Sequence, residues 1–273
     1  MGKWAGDGVR AASVPAYRQM MPYIMKGKNA SAAYFTLPVD MEKTLELLEN
    51  PPEEFQGLLT PTMLILRAAV MTLAEFPKLN RFIRGFRYFQ REGIWLSFSA
   101  KKAFVEHAPV IVVKMRFDPA EPFKRMAERV RDTLAAGKSD QDSYADKETK
   151  ILLHLPRFLL KTVIRLQGAL DSLGLLPNKF IENDLFYASA FIANIGSLGL
   201  DAAFHHLYEY GNIPIFLVAV KIQPMASVRD NQAVVRPTME MKITYDERIE
   251  DGFYAARALD RFRKLLENPE DLL

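Results

Sequence analysis

The chain has no cysteine among its 273 residues, and only four histidines and two tryptophans. The absence of cysteine excludes a disulfide framework and any thiolate metal site, and because nothing indicates an oxidising compartment, we expect a cytoplasmic protein. His107 and His154 lack the spacing of metal ligands, and no cluster of histidines with carboxylates stands out. We therefore expect no metal site.

The excess of one sign of charge is also small, since the chain has 36 basic and 33 acidic residues and a net charge of +3. A nucleic-acid-binding domain normally shows clustered Lys and Arg together with a recognisable module, so we expect no nucleic-acid partner. Residues 1–15 mix charges with glycines and lack the apolar core of a secretory signal. We interpret them as a flexible arm that precedes one domain, residues 16–273, because 49% hydrophobic content suffices for one large core.

The rest of the chain combines helix and strand patterns. Leu59 to Ala74 repeats apolar residues at helical spacing before Pro77, Pro122 to Leu134 is a charged amphipathic helix, and Gly252 to Asn268 is the final helix. Runs rich in β-branched and aromatic residues predict strands at 34–39, 94–100, 110–117, 186–195, 213–222, 233–237 and 239–245. A polar stretch, 137–147, predicts an exposed loop. Together these elements indicate an α+β sandwich.

The most informative segment is Asp246-Glu247-Arg248-Ile249-Glu250-Asp251-Gly252. It resembles the Asp-His-Arg-x-x-Asp-Gly signature of the acyltransferase core of 2-oxo-acid dehydrogenase complexes, a relative of chloramphenicol acetyltransferase. Four further blocks resemble that family in the same order along the chain: Pro38–Met41, Leu59–Asn80, Phe191–Gly199 with Ile213–Ile222, and Ala255–Pro269. The resemblance covers roughly residues 16 to 273 and is weakest between about 100 and 185.

The resemblance implies a chloramphenicol acetyltransferase-like sandwich, in which helices cover a mixed sheet, and a homotrimer with the active site between subunits. A larger cage is a lesser expectation. Coenzyme A or an acyl-CoA would be the substrate, without a metal. Complex-forming members carry lipoyl and peripheral-subunit-binding domains ahead of the core, and we expect neither in this chain.

Two positions depart from the family pattern. Glu247 stands where the family has its catalytic histidine, and Ala193 stands where it has the serine that donates a hydrogen bond to the tetrahedral oxyanion. A coenzyme A thiol with a pKa near 8.5 loses its proton while it attacks a thioester, so a base and an oxyanion donor both matter. The sequence therefore predicts acyl-transfer chemistry that is altered or lost.

Glu247 has two interpretations. An ordinary glutamate, with a pKa of about 4.3, is roughly four units weaker as a base than the thiolate, although apolar burial raises such values in enzymes. Arg248, if it points to the same place, would keep Glu247 ionised and lower its pKa. Glu247 is then either a catalytic base or a structural or binding carboxylate, and Arg248 is a candidate ligand-binding residue.

Other site residues follow from the resemblance. Asp251 retains a position that is mainly structural in the family, where it pairs with an arginine of the first helix, and Arg18 is the matching candidate here. Asn194 and Gly196, beside Ala193, are candidate ligand-binding residues. Glycine at these places allows tight turns and close approach of a ligand, but it is commonly only a turn residue.

The pair His205-His206 offers an alternative base. The stretch His205 to Gly211 mimics the His-His-x-x-x-Asp-Gly signature of the wider superfamily, but it precedes the 213–222 strand and has Tyr210 where the aspartate belongs. We interpret it as a coincidental match. Histidine nevertheless titrates near neutral pH, so a base relocated to His205 or His206 near the ligand stays open.

Residues Lys150 to Leu176 depart most from the family. Lys150, His154, Arg157, Lys161 and Arg165 recur every three or four residues among many apolar side chains, which predicts a strongly amphipathic helix that Pro156 begins or kinks. It is too charged to span a bilayer. Its apolar side either packs on the sheet or another subunit, or it contacts a membrane surface or an acyl chain.

Three functions stay open at this point. The first is a coenzyme A-dependent acyltransferase of altered mechanism. The second is a non-catalytic trimeric or cage-forming scaffold, or an acyl-CoA-binding module. The third is a membrane-peripheral assembly protein that uses the Lys150–Leu176 helix.

Overall fold

The fold was obtained as a computed structural model that describes residues 7–101, 110–137, 153–201 and 203–273. Helices α1 to α7 are Ala16–Ile24, Glu42–Glu49, Pro61–Glu75, Phe123–Gly137, Arg157–Leu173, Asn178–Asn183 and Gly252–Glu267. Strands β1 to β9 are Gly8–Arg10, Ala32–Asp40, Arg81–Arg84, Arg87–Arg91, Ile94–Lys101, Val110–Phe117, Ala190–Asn194, Ile215–Arg229 and Gln232–Asp246.

The main sheet has six strands in the order β2-β9-β8-β7-β5-β6. Strand β7 pairs in parallel with both β5 and β8, whereas the other pairs are antiparallel, so the sheet is mixed. The predicted α+β architecture, a mixed sheet covered by helices, is confirmed. Strands β1, β4 and β3 form a second, antiparallel sheet that the sequence patterns did not predict.

One face of the main sheet is covered by helices. Helix α3 begins at the N-cap Thr60, whose side chain accepts a hydrogen bond from the Met63 amide, and Pro61 occupies its first turn. Its side chains are buried on nearly all sides, which is typical of a central helix. Together with α4 and α7 it packs on Leu96, Leu217 and Ile243, so this face carries the principal core.

The second face of the sheet carries a smaller apolar cluster. Phe191, Phe216 and Val218 are buried there, and Leu207 and Ile213 from the loop before β8 pack on them. Side chains alternate between the two faces along a strand. Ala193 of β7 therefore lies on this second face, together with Phe191.

Two sequence predictions need correction. The predicted strands 233–237 and 239–245 are one strand, β9, because Pro237 lies opposite Pro224 of β8 within the ladder. The predicted strand 186–195 is shorter, since β7 begins only at Ala190.

The predicted flexible arm is also partly wrong. Residues 8–10 form β1, and the carboxylate of the buried Asp7 lies 2.9 Å from Arg84 Nη2 and 3.3 Å from Arg91 Nη1. Residues 1–6 lie outside the described residues, as does the predicted loop beyond residue 137. Where the structure describes the chain, no helix is both long enough and apolar enough to cross a bilayer.

Candidate functional site

The candidate site lies in the turn that joins the end of β9 at Asp246 to the start of α7 at Gly252. Asp246 is buried and accepts hydrogen bonds from Arg248 Nε at 2.8 Å and Arg248 Nη2 at 2.7 Å. Burial raises the pKa of Asp246, and the bidentate guanidinium opposes that shift. The Arg248 side chain is therefore directed to Asp246, and its predicted influence on the charge of Glu247 is not realised by a direct contact.

Arg248 also lines a polar cavity of about 320 Å³ behind the turn. Lys28 lines the same cavity and donates hydrogen bonds to the carbonyl oxygens of Tyr210 at 3.2 Å and Gly211 at 2.8 Å. Burial lowers the pKa of Lys28 to about 8, despite the nearby Asp246 charge. The candidate ligand-binding role of Arg248 is thus restricted to this cavity, because the side chain is otherwise held by Asp246.

Arg18 braces the turn, but not by the predicted contact with Asp251. Its Nη2 donates to the carbonyl oxygens of Glu247 at 2.7 Å and Arg248 at 3.1 Å. Its Nε lies 3.8 Å from Oε1 of Glu250, and both side chains are buried. The predicted Arg18–Asp251 pair is not formed, because Glu250 is the carboxylate that points inward toward Arg18.

Glu250 is surrounded by cations. Besides Arg18, Lys78 Nζ lies 3.4 Å and Arg81 Nη1 lies 3.3 Å from its Oε2 atom. Asp251, in contrast, is exposed and caps α7, since its Oδ1 accepts a hydrogen bond from the Tyr254 amide at 2.9 Å. The cluster around Glu250 fixes the turn next to Glu247 and leaves an excess of positive charge there.

Glu247 is half-buried, and its backbone is held on both sides. Its amide donates to the Ser31 carbonyl at 3.0 Å, and its own carbonyl accepts from Arg18. Its carboxylate makes no hydrogen bond or ion pair with the part of the chain that the structure describes. Burial, with a smaller contribution from the Glu247 charge, raises the pKa of the neighbouring Tyr245 hydroxyl to about 12. Glu247 is therefore held through its backbone, and its carboxylate oxygens are available to a hydrogen bond from a ligand.

Ala193 lies on the second face of the sheet and is half-buried. Its partner on the adjacent parallel strand β5 is Ser99. Neighbouring strands lie about 4.8 Å apart, and paired residues project to the same face, so a serine hydroxyl stands beside the position that lost one. Ser99 is half-buried and makes no hydrogen bond with the described residues. The alternation of Ser97 and Ser99 in the sequence signalled one strand face, but only the register identifies Ser99 as the neighbour of Ala193.

Asn194 and Gly196 serve the local fold. The Asn194 side chain donates to Thr62 Oγ1 at 3.0 Å and accepts from the Ser197 amide at 3.2 Å, which ties the end of β7 to the start of α3. A Cβ atom on Gly196 would lie 2.4 Å from the Val220 carbonyl oxygen. The close approach at Gly196 is therefore to the backbone of β8. Neither residue presents a free group of the kind that the predicted ligand-binding role needs.

His205 and His206 lie in the loop before β8, as the sequence order requires. The His205 ring stacks on Phe216 with centroids 3.9 Å apart, and its Nδ1 lies 2.6 Å from the His206 carbonyl oxygen. A carbonyl oxygen only accepts, so this contact assigns the proton to Nδ1 and leaves Nε2 as the basic atom. Burial lowers the pKa of His205. His206 is exposed, and its Nδ1 lies 3.0 Å from the Leu207 carbonyl.

The two altered family positions are far apart within one chain. Ala193 is in register with Val218 of β8, which in turn pairs with Lys242 of β9. From Ala193 to the Lys242 position the path crosses two strand spacings, about 10 Å across the sheet. Glu247 then lies five residues beyond Lys242 along the chain, a further distance of about 17 Å. The side chains of Glu247 and Ala193 are thus roughly 20 Å apart, and one chain alone does not bring them to the same reacting atoms.

Comparisons with known proteins place this site within a region of family similarity. The family of 2-oxoacid dehydrogenase acyltransferases, catalytic domain, matches residues 176–273. Residues 176–273 are thus similar to that catalytic domain, over less than half of the chain. The segment contains both Glu247 and Ala193, so the two substitutions lie inside the part of the chain that the family covers.

A curated relative is similar to part of the chain. The dihydrolipoyllysine-residue acetyltransferase component of the pyruvate dehydrogenase complex of Bacillus subtilis (strain 168) is 33% identical over 86 residues, which are 32% of this chain and 19% of that protein. The aligned region thus spans about a fifth of that relative.

Solved structures show the fold of the whole chain. A probable dihydrolipoamide acetyltransferase from Listeria monocytogenes 4b F2365 has a TM-score of 0.60 at 16% identity, with 96% of this chain and 95% of that chain covered. A chloramphenicol acetyltransferase has a TM-score of 0.57 at 14% identity, with 94% and 100% covered. The predicted chloramphenicol acetyltransferase-like fold is therefore confirmed.

Proposed function

We propose that this protein binds a coenzyme A thioester and transfers its acyl group, with Glu247 as the group that accepts the proton of the attacking nucleophile. The observation that carries the proposal is the Glu247 carboxylate, which is half-buried, fixed through its backbone and without a partner among the described residues. A structural carboxylate would be expected to have a cation or a hydrogen-bond donor in contact, as Glu250 has.

The chemistry needs two protein groups. As an acceptor thiol attacks the thioester carbonyl, its proton moves to the Glu247 carboxylate, and the carbonyl oxygen becomes a tetrahedral oxyanion. Collapse of that intermediate reforms a carbonyl and expels the thiolate of coenzyme A, which takes the proton from Glu247 and so regenerates the carboxylate. A hydroxyl that donates to the oxyanion typically contributes two to three orders of magnitude in rate.

Ser99 is the candidate for that hydroxyl. It stands beside Ala193 in register and has no hydrogen-bond partner among the described residues. The hydroxyl that the family carries on β7 would then be supplied one strand away, on β5.

A second copy of the chain would complete the site. Glu247 and the Ser99–Ala193 pair are too far apart in one chain to act on one carbonyl, since two strands and five residues separate them. We propose that the Glu247 turn of one copy lies against the second sheet face of another, and a homotrimer would then hold three equivalent sites. The relative in the cubic core of the pyruvate dehydrogenase multienzyme complex, with a TM-score of 0.59, makes a larger cage a lesser alternative.

The test measures acyl-CoA turnover against a panel of thiol, amine and alcohol acceptors. We expect Glu247→Gln to lower kcat/KM by about a hundredfold, because general base catalysis contributes that much. Glu247→His should retain or raise activity, and Ser99→Ala should lower kcat. Glu270→Gln, which neutralises an exposed carboxylate in the carboxy-terminal turn, is the matched control and should behave as wild type. Equal turnover in Glu247→Gln and wild type would exclude Glu247 as the base, and His205→Gln would then be tested.

The alternative is a non-catalytic trimeric scaffold or acyl-CoA-binding module. It is favoured by the simultaneous loss of the histidine and the serine at positions 247 and 193. In that case no acceptor supports turnover, and acyl-CoA binding measured by calorimetry survives in Glu247→Gln. The double variant Ala193→Ser/Glu247→His is then the one expected to gain activity. Analytical ultracentrifugation of the same samples measures the trimer directly.

A further inference from the structure

Among the described residues, the polar and apolar contacts that attach helix α5, Arg157–Leu173, to the protein lie near its carboxy-terminal end. Near its carboxy-terminal end Asp171 Oδ1 lies 3.0 Å from Arg84 Nε, Gln167 donates to Tyr210, and Leu170 packs on the cluster of Leu176, Ile181 and Tyr187. Gly174 then ends the helix in the left-handed conformation, with its amide bonded to the Asp171 carbonyl. None of the 17 residues of α5 is buried.

The exposed surface of α5 has two adjoining stripes. At 100° per residue, Arg157, Lys161 and Arg165 fall within one 80° arc, and all three are exposed. The neighbouring arc is apolar and also exposed, with Phe158 at 69% and with Leu159, Val163, Leu166 and Leu173. A helix that packs only on its own domain buries its apolar stripe against the core, and α5 leaves most of that stripe in contact with solvent.

The β3–β4 turn next to α5 exposes a further aromatic pair. Gly85 touches the helix, since a Cβ atom there would lie 2.2 Å from the Ser172 carbonyl oxygen. The next residue, Phe86, has φ = +61°, although a bulky side chain rarely adopts that conformation, and it is 55% exposed. Its ring stacks on the exposed Tyr23 with centroids 5.0 Å apart. Asparagine or glycine is the usual residue for such a turn. Phe86 therefore has a strained backbone conformation and also exposes an aromatic ring.

We propose that α5, with Phe86 and Tyr23 beside it, is the surface by which this protein binds an anionic lipid membrane. A helix with Lys and Arg on one side and Phe and Leu on the other lies in the plane of the bilayer interface, with its apolar side at the acyl boundary and its cations among anionic headgroups. A contact that places α5 of one copy against α5 of another would bring the Arg157–Lys161–Arg165 arcs together, and like charges oppose it. An anionic bilayer complements both the basic and the apolar stripe of α5.

The experiment is flotation of the full chain with phosphatidylcholine vesicles that contain or lack phosphatidylglycerol. We expect binding to the anionic vesicles only, and weaker binding at high salt because surface charges are screened. Each basic residue near an anionic surface contributes about 1 kcal/mol, or roughly fivefold in partitioning, so Arg157→Gln/Lys161→Gln/Arg165→Gln should bind about a hundredfold more weakly. The double variant Phe158→Ser/Leu166→Ser should also lose binding. If the contact were purely electrostatic, this variant would bind as wild type does.

The matched control neutralises three exposed cations on another helix, α4, in Lys124→Gln/Arg125→Gln/Arg131→Gln, and it should float as wild type does. Circular dichroism and analytical ultracentrifugation of every variant confirm that fold and assembly are retained. No flotation of the wild-type chain, or equal flotation of the α5 and α4 variants, overturns the proposal. If wild type does not bind vesicles and the Phe158→Ser/Leu166→Ser variant fails to assemble, α5 is assigned to a subunit contact instead. Acyl-CoA turnover is measured separately, so this result and that of the proposed function are independent.

Discussion

Two consecutive carboxylates, Glu250 and Asp251, have opposite surroundings. Glu250 is buried among Arg18, Lys78 and Arg81, whereas Asp251 is exposed and holds only the amide of Tyr254. A buried ion pair that loses one partner leaves a charge without compensation, while an N-cap contributes one hydrogen bond at a helix end. The two residues therefore contribute to stability through different mechanisms and by different amounts.

We expect Arg18→Met to lower the free energy of unfolding by about 3 kcal/mol, because it leaves Glu250 with fewer cations and two carbonyl oxygens without a donor. Asp251→Ala should cost only about 1 kcal/mol. Urea denaturation at neutral pH measures both values. If Asp251→Ala were the more damaging variant, the predicted Arg18–Asp251 pair would have to be reinstated.

At the same scale, sequence reasoning singled out Glu247 and Ala193 because each stands within a recognisable string, and it named Arg18 only as the partner of Asp251 that the resemblance implied. It missed Ser99 and the inward direction of Glu250. Strand register and the side to which a turn residue points depend on contacts between distant segments, such as β5 with β7. No local pattern around residue 99 or 250 contains that information.

At the scale of elements, the short segment after β7 depends on glycine for two different reasons. Gly196 approaches the Val220 backbone so closely that no side chain fits, while Gly199 has φ = +78° with open space around it. The first requirement is steric and the second is conformational, so their substitutions should differ in cost.

We expect Gly196→Ala to cost about 2 kcal/mol or more, because backbone atoms of β8 must move. Gly199→Ala should cost about 1 kcal/mol, the usual penalty for a positive φ. Gly252→Ala, at the start of α7 with nothing within 4 Å and an ordinary φ, is the control and should be nearly neutral or slightly stabilising. Thermal unfolding of the three variants ranks them, and a reversed order would contradict the steric explanation.

Element prediction succeeded where apolar periodicity was strong, as in α3, α4 and α7, and where Pro156 marked the start of α5. It failed for β1, β3 and β4, which are three to five residues long. Their pairing with one another, and the ion pairs of Asp7 with Arg84 and Arg91, hold these short strands in place. Tertiary contacts of this kind are not encoded in a short window of sequence.

At the scale of the whole molecule, four of the tyrosines that the structure describes have hydroxyl groups whose ionisation is opposed by burial. Burial raises the pKa of Tyr88 and Tyr245 to about 12, and it raises the pKa of Tyr187 and Tyr210 as well. In the unfolded chain these phenols ionise near pH 10, so the folded protein binds more protons than the unfolded chain above that pH.

The sign follows directly: a folded pKa above the unfolded value contributes stability that is present below pH 10 and is lost as pH rises toward 12. We expect the free energy of unfolding to fall by at least about 1 kcal/mol between pH 10 and 12. Urea denaturation across this range measures it, while phenolate absorbance should show a native titration that is incomplete at pH 11. Tyr245→Phe should reduce the fall, whereas Tyr17→Phe, at an exposed position, should not change it.

The hairpin of β8 and β9 extends beyond the main sheet. Strand β2 pairs with β9 only from Thr238 onward, and β7 pairs with β8 only as far as Ala219, so residues 225–236 form a two-stranded ribbon with exposed Val228 and Val235. A ribbon of this kind is weakly protected by itself. Trypsin should therefore cleave after Arg229 sooner than within the sheet, and protection of that bond in the assembled protein would place the ribbon tip at a contact with a neighbouring chain.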